Sequence, residues 1–178
     1  METSNIIVRM KKIKDYFENR KLLKEELNFH ILKRNLIREE TTKSLTEAHI
    51  EKTKHNLRTA DLLIYYKEFN DWAVISLYYA LYHSCLALLA KKGYSSKNHT
   101  ATLLFILENY SEISKEELEM IDNVSITKSE AEFYTSLKQK RQDASYSTNS
   151  IFTEILIEKI RKDTISFINK VELILEKA

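Results

Sequence analysis

Two short stretches of this chain hold side chains whose types and spacing can do chemistry. The first lies within WAVISLYYALYHSCLALLA, residues 72–90, which contains Tyr78, Tyr79, Tyr82 and His83. Tyr79 precedes His83 by four residues, about one helical turn, so a phenol and an imidazole share a face and can touch or hold one ligand. The second is KRQDASYS, residues 140–147, with Arg141, Asp143 and Tyr146. Residues five apart on an ideal helix differ by about 140° in azimuth, yet near a frayed terminus a long arginine and a phenol can converge on one ligand. Asp143 could orient the guanidinium or simply be solvated. Each feature also has a plainer reading: a core histidine bonded to a carbonyl or phenol, packing tyrosines with hydroxyls at the rim, and a surface arginine.

Other chemistries are excluded by what the chain lacks. With a single glycine, Gly93, no Gly-rich phosphate loop can form, and there is no nucleophile elbow, dinucleotide fingerprint or HExxH. His30, His49, His55, His83 and His99 have no compact ligand spacing and Cys85 has no partner, so neither metal nor cofactor is expected. Catalysis, if present, must use side chains presented by helices.

The elements that position them are helices. One glycine and no proline in 178 residues leave almost no turn punctuation, and no strand of useful length is evident, so an all-α helical bundle is expected. The nineteen residues Trp72–Ala90 carry no charge in a chain that is 30% charged, which marks a helix surrounded by neighbours. Along it Ala73, Ser76, Ala80, His83, Ala87 and Ala90 form a small-residue seam where another helix can approach closely, while Val74, Leu81 and Leu88 line another face.

Helices are expected over about 5–38, 46–68, 71–92, 98–110, 115–145 with a possible break near Ser125–Thr127, and 150–177. Ser44–Glu47, Ser114–Glu117 and Thr127–Glu130 have capping-box spacing, Asn70 or Asp71 can cap the core helix, and Asn98 or Ser96 the next. Gly93 suits a left-handed C-terminal residue. In the last helix Ile151, Ile155, Ile160, Phe167, Val171 and Ile174 recur at helical steps.

Charge divides the chain unevenly. Residues 1–45 hold eleven Lys/Arg against seven Asp/Glu, and residues 46–178 hold seventeen against nineteen. Two units are therefore expected, a basic N-terminal helical extension over 1–45 and a bundle over 46–178. The lone cysteine and the absence of an opening signal peptide point to a reducing, cytoplasmic compartment. The uncharged run is long enough for a membrane span, but its His, Ser and Tyr residues and its amphipathic neighbours argue for a core helix and no membrane.

Three blocks in order, HNLRTADLLIYYKEFNDWAVI, SLYYALYHSCLALLAKKGYSSKNHTATLLFILE and, after a helical spacer, KRQDASY, resemble the HEPN family of small helical-bundle proteins. The middle block is similar to that family's AYYAxxHxxxALLxxKGxxxKxH segment, with Ala80, His83, Gly93, Lys97 and His99 in matching places. The last is similar to its RxxADY variant, with Arg141, Ala144 and Tyr146. The resemblance spans roughly residues 46–178.

It implies an up-and-down antiparallel bundle of four to six helices that commonly forms a homodimer. It also implies a metal-independent endoribonuclease, often a toxin paired with a small nucleotidyltransferase antitoxin. In the nuclease motif an arginine holds the scissile phosphate and a histidine moves protons. Carried onto this chain, Arg141, Tyr146 and His83 become the catalytic candidates, and Tyr79, Lys97, His99 and Asp143 the substrate-binding ones. The chain departs from the motif at Tyr146, where the nucleases have histidine. A phenol with an ordinary pKa of about 10 is a poor general base, but it can donate a hydrogen bond, act as an acid or be modified. His83 or His99 could supply the missing imidazole. The alternative reading is a catalytically silent module that binds a nucleotide, RNA or a protein partner in the same cleft.

Overall fold

Helix α3, Asn70–Lys91, is the axis around which the chain is assembled. Its side chains are apolar almost all round, so Ala73, Val74, Leu77, Ala80, Leu81, Ala87 and Leu88 are all fully buried. A helix with no polar face is stable only if neighbours cover it on every side. Here α2 (Thr42–Tyr66), α4 (His99–Asn109), α5 (Lys115–Lys140) and α6 (Glu154–Lys177) do so. The computed structural model describes residues 13–67, 69–140 and 152–177. By length and composition α3 resembles a membrane span, yet 72% of its most apolar window is buried by the bundle. The all-α class expected from the sequence is the class observed.

The small-residue seam is filled within the chain. On α2 the buried residues are Thr53 and Ala60, seven apart and on the row that carries His49. Small side chains on both helices let the backbones approach closely, and α2 packs against α3 along most of its length. Helix α6 runs antiparallel along the edge of α2: Lys67 pairs with Glu154 at 3.1 Å, Asp61 with Arg161 at 2.7 Å and Lys54 with Glu172 at 3.7 Å. These pairs are partly to mostly exposed and set register more than stability.

The N-terminal region departs from the expected single helix over 5–38. The described part begins with a 3-10 turn, Ile13–Tyr16, and a helix α1 confined to Arg20–Leu32. Asn19 caps α1 by accepting from Leu22 N at 2.9 Å. The helix stops because Arg34 adopts a left-handed φ of 56° and Asn35 folds back, its N–H donating to His30 O at 2.8 Å. Freed from the helix, Leu36–Arg38 forms strand β1 and pairs antiparallel with β2, Tyr94–Ser96, with Leu36 opposite Ser96 and Arg38 opposite Tyr94. Three-residue strands carry too little alternation to be read from sequence. Ile13, Tyr16, Leu23, Leu27 and Leu36 are buried in the same hydrophobic cluster as α3.

Elsewhere the expected helices form, with local differences. Ser114 and Glu117 make the reciprocal capping box, Ser114 N–H donating to Glu117 Oε2 at 2.8 Å and Glu117 N–H to Ser114 Oγ at 3.2 Å. Asn98 caps α4 through Ala101 N–H at 2.9 Å. Ser44 lies inside α2, whose N-cap is Thr41, and Phe69 rather than Asn70 stands at the N-cap of α3. Helix α5 is unbroken at Ser125–Thr127, where the Thr127 and Ser129 hydroxyls turn back onto the carbonyls of Asn123 and Ser125 instead of capping a new start. On α6 the buried row is Ile157, Ile160, Thr164, Phe167, Val171 and Ile174. Ile155, five residues before Ile160, falls off that row and is 84% exposed. Ile151 lies outside the described residues.

Candidate functional site

A strip of aromatic and imidazole side chains runs across α3 between its neighbouring helices. Tyr78, Tyr79, Tyr82 and His83 fall at positions i, i+1, i+4 and i+5, so Tyr78 and Tyr82 lie one turn apart on one face and Tyr79 and His83 one turn apart beside them. The Tyr78 and Tyr82 rings stack with centroids 5.7 Å apart and planes within 9°. Tyr82 in turn lies 6.4 Å from the His83 ring and 6.2 Å from the His99 ring. His83, His99 and Tyr79 are thereby linked through Tyr78 and Tyr82.

At one end, His83 meets His49 of α2, Nδ1 to Nδ1 at 3.1 Å, with ring centroids 5.3 Å apart. Two imidazole nitrogens at this distance hold one proton between them, whichever ring owns it. Burial, and then the neighbouring His83 ring, push the His49 imidazole down to about 4. Burial also holds His83 below its ordinary value, with the Lys52 ammonium acting in the same direction. At neutral pH the pair is uncharged.

At the other end, His99 opens α4 and is held from both sides. Its Nε2 lies 3.3 Å from Asp122 Oδ1 of α5, and its Nδ1 lies 3.3 Å from the Tyr78 hydroxyl. A carboxylate only accepts, so Nε2 carries the proton and Nδ1 accepts from Tyr78. Burial raises the Tyr78 phenol well above its ordinary value, Tyr82 adds to the rise, and a hydrogen bond with Ser125 opposes it. Tyr78 is therefore a neutral donor, not a source of phenolate.

Tyr79 faces outward at 37% exposure and meets Tyr78 edge to face. Lys128 of α5 sits over both rings, 5.3 Å from the Tyr78 centroid and 5.4 Å from that of Tyr79, and pairs with Glu132 at 2.6 Å. Tyr79 thus turns toward α5 while His83 turns toward α2, and the two do not touch. Lys97 is exposed in the short connection between β2 and α4. Arg141, Asp143 and Tyr146 lie outside the described residues.

Three residues of this strip, His49, Asp122 and Lys128, were not legible as site candidates, nor was the bridging role of Tyr82. His49 left a signal. His83 is the large polar group on an otherwise small seam and calls for a polar partner, and His49 is one of the polar residues, with Thr46, Thr53 and Asn56, on one row of α2. Asp122 and Lys128 left none, because their positions depend on how α5 crosses α3. Among the described residues no three His, Cys, Asp or Glu side chains converge to hold a metal ion. Cys85 is buried and its thiol is pushed up to about 12 by burial, which leaves it inert.

Comparison with known proteins gives two findings. The family model described as "HEPN domain" matches residues 46–174. A protein of Methanocaldococcus jannaschii named "Putative toxin MJ0142" is 28% identical over 123 residues, covering 67% of this chain and 82% of its own length. The match takes in most of α2, all of α3 to α5 and most of α6, and with them every residue of the strip.

Proposed function

We propose, from the premise that this chain belongs to the HEPN family, that it is a toxin or defence protein that cleaves RNA without a metal ion. The observation that carries this is the family match over residues 46–174, with a relative whose name calls it a toxin. In this reading Arg141 binds and neutralises the scissile phosphate and Tyr146 donates a proton or hydrogen bond. His83 supplies the imidazole that position 146 lacks. His99 is less suited, since both its ring nitrogens are engaged. Tyr79 offers an exposed ring on which a base can stack, and Lys97 and Lys128 offer cations for the backbone. Asp143 orients Arg141. The protein works in the cytoplasm as a homodimer, and a small nucleotidyltransferase antitoxin restrains it.

The tyrosine at 146 favours one second reading, a catalytically silent module that binds a nucleotide, RNA or a protein partner through the same surface. Overproducing the protein alone separates the two. The toxin reading expects growth arrest that Arg141→Ala relieves, and RNA cleavage by the purified protein in the presence of a chelator. A wild type that neither arrests growth nor cleaves RNA leaves the binding module.

A further inference from the structure

We infer that His49 and His83 act as one proton-handling unit, His49 accepting from the His83 Nδ1–H so that a lone pair stays on His83 Nε2 and the His83 imidazolium is held during RNA cleavage. This rests on the cleavage reading above. The geometry singles the pair out among the described histidines. His30 is buried with Nδ1 bonded to Asn35, His55 is exposed on the surface of α2, and His99 spends both nitrogens on Tyr78 and Asp122. His49 and His83 are half-buried and joined Nδ1 to Nδ1, and among the described residues no hydrogen-bond partner engages either Nε2. Neither Nε2 is among the buried side-chain atoms left without a partner, so each Nε2 reaches solvent.

The coupling gives the unit both halves of the chemistry. With the shared proton on His83 Nδ1, His83 Nε2 holds a lone pair and can take the proton from a ribose 2′-hydroxyl. As the O2′–P bond forms, His83 becomes an imidazolium whose Nδ1–H stays bonded to His49 Nδ1. Its Nε2 proton then goes to the departing 5′ oxygen as the P–O5′ bond breaks, and the neutral pair is restored. One proton has moved from the 2′ oxygen to the 5′ oxygen, and no co-reactant is consumed. The two rings sit on different helices held together by the α2–α3 seam, so their separation is fixed by packing. The titratable and charged neighbours of the pair are Lys52 on α2 and Tyr82 on α3.

The test is His49→Leu in the full chain, with the protein's fold checked by circular dichroism. Leucine removes the partner of His83 Nδ1, so nothing fixes which His83 nitrogen carries the proton. Nitrogen-15 imidazole spectra should show one proton shared between two coupled Nδ1 atoms in the wild type and a His83 ring exchanging between both tautomers in the variant. RNA cleavage should fall by about tenfold or more in kcat with KM unchanged, and the acidic limb of the pH profile should move. His49→Asn, whose side-chain oxygen stands where His49 Nδ1 did and can accept from His83 Nδ1–H, should keep more of the activity than His49→Leu. Unchanged kcat and pH profile in a folded His49→Leu protein overturn the inference. If the wild type shows the coupled spectra but cleaves no RNA, the cleavage reading falls and the pair is a packing contact. If it cleaves RNA with two uncoupled rings, the inference falls and the cleavage reading stands.

Discussion

A neutral imidazole pair inside a helix interface makes the fold sensitive to acid. His49 is held near 4 and His83 below its ordinary value, whereas in the unfolded chain both titrate near about 6.5. The unfolded state therefore binds more protons between these limits, and stability rises with pH across that window. The contribution is complete above about pH 6.5 and is lost as pH falls from there toward 4. Each unit of depression is worth about 1.4 kcal/mol, reduced here because both rings are partly solvated. Denaturant titrations at pH 7.0 and 4.5 should show the wild type losing stability on the order of 1–2 kcal/mol more than His83→Gln does. An equal loss in both proteins would mean that the pair does not carry the effect. At this scale His83, Tyr79 and His99 were legible because their types stand out in an uncharged run and a short connection. Asp122 and Lys128 were hidden, because a charged residue on an amphipathic helix carries no mark of which neighbour it will meet.

The elements owe their boundaries to local signals of unequal strength. Capping residues with a hydrogen-bonding side chain, Asn98 and Ser114, act where the sequence places them, while Ser44 is bypassed because the N-cap of α2, Thr41, stands three residues earlier. The end of α1 escaped notice because arginine seldom adopts a left-handed φ, and the strand that follows is only three residues long. Gly93 is the opposite case, a residue whose presence was informative. It ends α3 at φ 79°, and its carbonyl accepts from Glu39 N–H at 2.9 Å, fixing where β2 meets β1. A Cβ at this site would meet Glu39 O at 3.6 Å and Thr42 Cγ2 at 3.7 Å, which are ordinary contacts. The cost of Gly93→Ala is therefore conformational, about 1–2 kcal/mol, and Gly93→Asn should cost less because asparagine tolerates this region. Thermal unfolding of the two variants measures the difference; equal losses would point to a steric cause instead.

At the scale of the molecule, the uncharged helix and its seam have a use different from the one the sequence suggested. Small residues along α3 invited a partner helix, and a second copy of the chain was a natural candidate. The partner is α2 of the same chain: Ala73, Ala80, Ala87 and Ala90 have no exposed surface, α2 packs against α3, and His83 on the seam meets His49 of α2. A homodimer must therefore be built on another face, leaving the seam a matter of folding alone. Two measurements on the same samples separate these roles. Light scattering at micromolar concentration should give about twice the 21.0 kDa chain mass for the wild type. Ala80→Leu inserts volume where two backbones meet closely, and should cost about 1–3 kcal/mol of stability while leaving the measured mass unchanged. A monomeric wild type refutes the dimer. A variant that unfolds no more easily but loses its partner would return the seam to the subunit interface, against the packing of α2 on α3.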